Sequence, residues 1–356
     1  MRDLPHLAGR LFDAPLLMDA RKLDGVVPAF MRRLAGDPDQ TDPADQRDPG
    51  EPTIAGGIAV IPVIGSLVRR KTAMDAFSGL SSYGDIVGAV SAAAANPGVK
   101  AVLLQIDSFG GEAAGCFEAC DALFALRGTK PIWASADVYA LSGGYALASC
   151  ADRLYVAPSG QIGSIGVVAV HCEFSQQNAA EGIAYTVLRA GDMKAAGNPL
   201  EPLDPRFAAK MQQSLDRNRA KFADMVVRNR RGVTLRQVLA TEGTWLEPEE
   251  ALPLKLVDGV ATFADAFGML ADAVAAPQEP PAPIGQEPPD PSSPSLKLVA
   301  DNAQAIDAGR AAGRSEVIAV TEICQLAGRP DLLAYYLSTG MTHAAVVRDL
   351  ACRRHG

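Results

Sequence analysis

The sequence predicts an α/β protein built around a parallel sheet. Residues 57–65 (GIAVIPVIG) and 99–108 (VKAVLLQIDS) are nearly continuous apolar runs, as strands buried on both faces are. Between them, residues 83–98 have helical character and end in Asn-Pro-Gly, a sequence that stops helices. Strand, helix and strand in this order predict a parallel core with right-handed crossovers.

Further elements follow in the same alternation. The predicted elements are a helix at 113–126 and strands at 131–136, 153–158, 165–170 and 183–191. A long helix at 204–232 ends at a glycine and has apolar residues at helical spacing. Seven basic residues lie between Arg217 and Arg236. Without interleaved aromatic residues they favour a solvated helix face over a nucleic-acid site.

Composition divides the chain into five parts. Residues 37–52 hold five Asp and four Pro, and 277–294 hold eight Pro, so neither stretch can form a core. The predicted organisation is an N-terminal segment (1–36), a disordered linker (37–52), a central domain (53–276), a Pro-rich linker (277–295) and a helical C-terminal region (296–356).

The composition is that of a soluble protein in a reducing compartment. The chain has 356 residues, 48% of them apolar, and a net charge of −8, which argues against nucleic-acid binding. The longest apolar run, 55–68, is shorter than the roughly 20 residues of a membrane span. Six cysteines occur without a CxxC pair, which indicates core thiols rather than a metal site. We expect a cytoplasmic protein with no signal peptide, membrane segment, metal or cofactor.

Ser142 is the first candidate for chemistry. It lies in DVYALSGGYALAS (137–149), where a strand gives way to a helix, and it precedes Gly143 and Gly144. Glycines destabilise a helix interior but allow another backbone to approach closely. The residues alone leave two interpretations of Ser142, a helix cap and a nucleophile.

A serine nucleophile needs a base, and the chain offers few. Of four histidines, His171 alone lies in the central domain, where it is either a base or a polar residue at a strand end. Lysine is the other known partner of a serine. Lys194, in a loop among small residues, is either solvent-exposed or that partner.

Gly110 and Gly111 form a third candidate element. They follow the predicted strand at 99–108, and their N–H groups could stabilise an oxyanion. A tight turn between strand and helix is the alternative.

Taken in order, five segments resemble one family. They are DSFGG (107–111), YALSGGYALAS (139–149), GQIGSIGVVAV (160–170), RAGDMKAAGNPLEPLD (189–204) and EEALPLKLVDGV (249–260). Together they resemble the signal peptide peptidase A family of serine peptidases, which has the Clp protease/crotonase-like fold. The MKAAGNP segment and the helical tail resemble the phage head-maturation branch of minor capsid proteases.

The resemblance implies roles for particular residues. Ser142 would be the nucleophile and Lys194 the base of a Ser-Lys dyad, with the N–H groups of Gly111 and Gly143 as the oxyanion hole. Ser164 would orient the lysine. For such a base to work at neutral pH it must be unprotonated, which burial favours.

The resemblance also implies partners. Substrates would be capsid, portal or scaffold proteins, or the chain itself, and the protein would act as a homo-oligomer in the host cytoplasm or procapsid. Nucleic acid and membrane are not expected partners.

Two departures and three rival functions accompany the resemblance. Phe109 stands where the family usually has Pro, and Lys255 where it usually has Gly. One rival is a crotonase-type enzyme acting on acyl-CoA, for which Glu112 would supply the carboxylate. The others are a peptide-degrading cytosolic protease and a non-catalytic capsid or scaffold component of the same fold.

Overall fold

A computed structural model describes residues 12–23, 50–70 and 80–275. Most of the linker predicted at 37–52 lies outside the described residues, as do the linker at 277–295 and the C-terminal region at 296–356. The described part of the predicted N-terminal segment, residues 12–23, contributes a strand to the central sheet.

The described residues form ten strands and eight helices, and residues 20–23 are also helical. The strands are β1 (Leu16–Met18), β2 (Thr53–Ala55), β3 (Ile58–Val68), β4 (Leu80–Ser82), β5 (Ala101–Glu112), β6 (Ile132–Leu141), β7 (Arg153–Val156), β8 (Gln161–Gly163), β9 (Trp245–Leu246) and β10 (Gly259–Val260). The helices are α1 (Tyr83–Ala95), α2 (Cys116–Ala125), α3 (Gly143–Ser149), α4 (Ser175–Ala180), α5 (Pro205–Asn229), α6 (Leu235–Ala240), α7 (Pro248–Ala251) and α8 (Phe263–Ala275).

The strands form one mainly parallel sheet, so the α/β prediction is confirmed. The main path runs β10-β7-β6-β5-β3-β2, and the four central strands from β7 to β3 are parallel. Three pairings are antiparallel: β1 with β5, β2 with β3, and β8 with β9. The site described below lies where β5 and β6 end, beside β1.

Helices cover both faces of this sheet. On one face α1, α2, α3 and α5 pack in a large cluster that includes Val90, Leu123, Leu147 and Phe222. On the other face α8 packs through Ala266 and Leu270. Burial of both faces explains the continuous apolar runs of β3 and β5.

Side chains at the helix starts fix where α1 and α5 begin. The Ser82 hydroxyl accepts a hydrogen bond from Asp85 N–H at the start of α1, and the helix ends at Ala95, before Pro97. Asp204 accepts from Arg206 N–H at the start of α5, where Pro205 is the first helical residue. Both are the residue types that N-terminal positions favour.

Three predicted elements differ from the structure. Gly110 and Gly111 are not in a turn, because β5 continues through them to Glu112. The strand predicted at 165–170 is wrong, because β8 ends at Gly163 and Ser164 adopts a φ of 52°. Beyond it, Val168 and Val170 form only isolated β-bridges. Residues 183–191 are irregular and largely exposed rather than a strand.

Within the described residues, no helix is both long enough and apolar enough to cross a bilayer.

Candidate active site

Ser142 is the single residue between β6 and α3. Its N–H donates to the Gly163 carbonyl at 2.7 Å, and its carbonyl accepts from Ala146 N–H at 2.9 Å. Its backbone has φ 51° and ψ −116°, a conformation that L residues rarely adopt and that is costly outside glycine. The strand and the helix therefore hold Ser142 in a strained turn.

The hydroxyl of Ser142 has no structural task in the described residues. The side chain is buried, with 1% relative exposure, and Oγ makes no hydrogen bond there. In particular it does not cap α3. The interpretation of Ser142 as a helix cap is thus wrong, and a buried, unpartnered hydroxyl in a strained turn is the kind of group found at functional sites.

Gly110, Gly111 and Gly143 lie together beside this serine. A Cβ built on Gly110 would be 2.7 Å from Gly143 N, and one built on Gly111 would be 1.8 Å from the Leu67 carbonyl oxygen. A Cβ built on Gly143 would lie 3.4 Å from Gly110 Cα. Only glycine fits at 110 and 111, because the neighbouring backbone fills the space of a side chain.

Ser108 supports this arrangement from within β5. Its hydroxyl donates to the Gly65 carbonyl at 2.6 Å and accepts from Gly110 N–H at 3.1 Å. A Cβ on Gly144 would be 2.8 Å from the Ser108 carbonyl oxygen, so the start of α3 packs directly on β5. These contacts join the ends of β3, β5 and β6 into one rigid corner.

Lys194 is not brought to Ser142 in this structure. It lies in a turn, with its N–H donating to the Gly191 carbonyl at 2.9 Å, and its side chain is exposed. The Ser142 Oγ has no hydrogen-bond partner among the described residues, Lys194 included. The dyad stays a prediction.

Ser164 contacts a carboxylate rather than a lysine. It is buried, and its N–H donates to the Thr244 carbonyl at 2.8 Å. Burial acts to raise the pKa of Asp19, but hydrogen bonds from Arg21 and from the Ser164 hydroxyl outweigh it, so the pKa lies below its ordinary value. Asp19 is therefore ionised at neutral pH and lies beside Ser164.

The remaining candidates are engaged elsewhere. His171 Nδ1 lies 2.7 Å from Asp13 Oδ1, so this ring pairs with a carboxylate rather than with Ser142. A Glu112 carboxylate oxygen accepts from Arg69 N–H at 2.7 Å. Among the described residues, no group of three or more His, Cys, Asp or Glu side chains could hold a metal ion.

Two residues at this corner were missed by the sequence reasoning. Tyr83 donates from its hydroxyl to the Glu112 carbonyl at 2.8 Å, and a Cβ on Gly143 would lie 3.0 Å from that hydroxyl. Burial raises the pKa of Tyr83, which keeps it a neutral donor. Leu17 lies across the same glycines on β1. Its apolar neighbours in PLLMD (15–19) were the only signal in the sequence.

The sequence matches one peptidase family and is similar to two phage proteins. The sequence model of peptidase family S49 matches residues 125–276. The head-tail preconnector protein GP5 of Enterobacteria phage P21 is 37% identical over 221 residues, covering 62% of this chain and 44% of that protein. The capsid assembly protease C of Escherichia phage lambda is 31% identical over 297 residues, covering 77% of this chain and 67% of that protein.

The chain thus spans less than half of the first relative and two thirds of the second. Among solved structures, a point mutant of ClpP1 from Listeria monocytogenes is similar, with 12% identity and a TM-score of 0.36. That match covers 59% of this chain and 94% of the ClpP1 chain.

Proposed function

The chain belongs to peptidase family S49, and from this premise we propose that it is a serine endopeptidase of phage head assembly. Its substrates would be scaffold, portal or capsid proteins, or the chain itself. The observation that carries the proposal is Ser142, a buried and unpartnered hydroxyl in a strained turn beside the glycines of β5. The two phage relatives, a head-tail preconnector protein and a capsid assembly protease, support this setting.

The proposed reaction is acyl transfer through Ser142. Its Oγ attacks the carbonyl carbon of a substrate peptide bond while Lys194, in its neutral form, accepts the hydroxyl proton. The N–H groups of Gly111 and Gly143 stabilise the oxyanion. Lys194 then passes the proton to the leaving amine as the C–N bond breaks, and water hydrolyses the ester to release the new carboxylate.

This reaction requires a rearrangement of the stretch that carries Lys194. Residues 183–203 hold five exposed large apolar side chains: Ile183, Tyr185, Leu188, Met193 and Leu203. Leu188 is 91% exposed. Such a concentration of exposed apolar side chains is typical of an interaction surface. We propose that a second copy of the chain covers this stretch and that Lys194 reaches Ser142 in the resulting homo-oligomer.

The test of this function follows proteolysis in cells. The full chain is co-expressed with capsid, portal and scaffold proteins as wild type, Ser142→Ala, Lys194→Ala and, as a matched control, Lys210→Ala, an exposed lysine on α5. We expect fragments of one or more of these proteins with the wild type and the control, and none with the other two variants. Identical fragment patterns in all four would refute the proposed function.

A further inference from the structure

Part of the chain itself pairs with the end of β5 that carries the two glycines. Residues Leu16–Met18 pair antiparallel with β5, with Leu17 opposite Gly111. Hydrogen bonds from Asp19 N to the Phe109 carbonyl (2.9 Å) and from Ala113 N to the Pro15 carbonyl (3.2 Å) extend the ladder at both ends. Residues 12–21, called the cleft segment below, thus follow the edge formed by the two glycines.

The cleft segment is also bound on its other side. Leu16 N–H donates to the Val168 carbonyl at 2.8 Å, and Val168 N–H donates to the Leu16 carbonyl at 3.0 Å. Asp13 N–H donates to the Val170 carbonyl at 2.9 Å. The segment is therefore an inner strand, held between β5 and residues 168–170, so the edge of β5 at the two glycines is already paired.

The carbonyl of Leu17 lies among the proposed oxyanion donors. Hydrogen-bonded pairs recur at every second residue of an antiparallel ladder, so the pair of Leu17 and Gly111 is one, and Gly111 N–H donates to the Leu17 carbonyl. A Cβ on Gly110 would be 2.0 Å from this oxygen and one on Gly143 3.2 Å from it. The carbonyl thus lies at the N–H group of Gly111 and close to Gly143, the two proposed oxyanion donors.

The side chains of the cleft segment are buried on both sides of the strand. Leu17 packs in the large core cluster, whereas Leu16 and Met18 pack with Phe12 and Leu23. Leu16, Leu17 and Met18 are all buried, at 2%, 0% and 7% relative exposure. Their burial removes apolar surface from water, which stabilises the bound segment. This position beside β5 therefore suits an extended peptide with three consecutive apolar residues.

An ionic and aromatic anchor follows these residues. The Arg21 side chain donates to Asp19 at 2.9 Å and to Gln161 at 2.8 Å. Its guanidinium carbon lies 5.8, 5.7 and 5.1 Å from the ring centroids of Phe109, Tyr139 and Trp245 respectively. Cation–π contacts of this kind attract the guanidinium to the three rings and so hold the cleft segment in place.

The same anchor also places a carboxylate beside Ser164. The Ser164 hydroxyl donates a hydrogen bond to Asp19. Ser164 is the residue that the resemblance assigns to orienting the lysine. A lysine brought to Ser164 would face this carboxylate, which favours the protonated ammonium and not the neutral base. A bound carbonyl at Gly111 and a carboxylate beside Ser164 would both hinder the proposed reaction.

We propose that the cleft segment is a built-in substrate mimic that keeps the protein latent, and that true substrates bind in its register. This inference rests on the proposed function. The substrates it identifies are extended peptides with apolar residues in the places of Leu16, Leu17 and Met18, followed by an acidic residue. Substrate binds once the cleft segment leaves β5.

The test measures how fast a fluorophosphonate probe labels Ser142 in the full chain. Leu17→Asp places a charge in the buried cleft, and Arg21→Ala removes the anchor with a smaller change to the core. We expect labelling roughly tenfold faster or more in Leu17→Asp, since an unpaired buried charge is costly, and a smaller acceleration in Arg21→Ala. The control, Ile54→Asp, changes an exposed apolar residue of β2 and should label at the wild-type rate.

A peptide of residues 13–21 (DAPLLMDAR) provides the second arm. Added to Leu17→Asp, it should slow labelling again, whereas the same peptide with aspartate in place of Leu17 should not. If Ser142 is labelled at one rate in the wild type, both variants and the control, latency is refuted while the peptidase function stands. If no variant is labelled, the proposed function fails, and the inference fails with it.

Discussion

At the scale of single residues, Ser142 combines features that a purely structural serine does not need. Its φ of 51° places a side chain in a region that favours glycine, and its Oγ is buried with no hydrogen-bond partner in the described structure. Both features cost stability. The sequence could show that a serine stood between a strand and two glycines, but not whether its hydroxyl capped the helix, because that depends on a backbone angle.

Replacing Ser142 by two different residues separates chemistry from strain. Ser142→Gly and Ser142→Ala should both abolish peptidase activity, since both remove Oγ. Alanine keeps a Cβ in the strained turn and glycine does not, so we expect Ser142→Gly to have the larger free energy of unfolding, by about 1 kcal/mol. Urea denaturation followed by circular dichroism measures this difference. An alanine variant at least as stable as the glycine variant would contradict the strain.

The surroundings of the Lys194 side chain could not be predicted from the sequence. Its flanking small residues were compatible with both exposure and approach to the serine, and in this structure the side chain is exposed. A local sequence does not encode a contact that depends on a stretch far along the chain or on a second copy. The same holds for Asp19, whose contact with Ser164 joins residues more than a hundred positions apart.

At the scale of elements, the apolar runs predicted the core strands well. β3 and β5 lie where continuous apolar residues predicted buried strands, and α1 ends where its Asn-Pro-Gly sequence indicated. The failures occur where tertiary pairing decides. Glycines at 110 and 111 resemble a turn locally, yet β1 and β3 on either side hold them in β5.

Alanine substitutions at two glycines test this view of β5. In Gly111→Ala the new Cβ would lie 1.8 Å from the Leu67 carbonyl oxygen, so β3 and β5 would have to separate. We expect a loss of about 3 kcal/mol or more in the free energy of unfolding.

Gly88→Ala is the matched control for this substitution. Gly88 lies inside α1, and a Cβ there would meet nothing within 4 Å. Alanine should therefore stabilise the protein by up to about 1 kcal/mol, since it is the better helix former. Equal effects of the two substitutions in thermal or urea unfolding would show that the ladder at Gly111 is not closely packed.

At the scale of the whole molecule, the described residues combine a buried core with an exposed apolar stretch at 183–203. Helices cover both faces of the sheet, whereas residues 183–203 keep large apolar side chains in solvent. Composition predicted the core because burial scales with apolar content. It could not predict this stretch, because the same apolar residues read equally well as a buried strand.

The proposed homo-oligomer predicts the effect of a charge on this stretch. Leu188→Asp should shift the protein towards the monomer in size-exclusion chromatography with light scattering, since burying an unpaired carboxylate in an interface is unfavourable. Met269→Asp, which alters an exposed apolar residue of α8, should leave the oligomer unchanged. Peptidase activity should fall with the loss of the oligomer. A wild-type chain that is monomeric at all concentrations would contradict the proposal.

Ser142 is the proposed nucleophile of this S49 peptidase. Reaction of the full chain with a phosphonylating probe, followed by location of the adduct by peptide mass spectrometry, tests this role. We expect one adduct, on Ser142, and none in Ser142→Ala. An adduct on a different serine, or an unmodified Ser142 in a variant whose cleft segment has been released by Leu17→Asp, would contradict it.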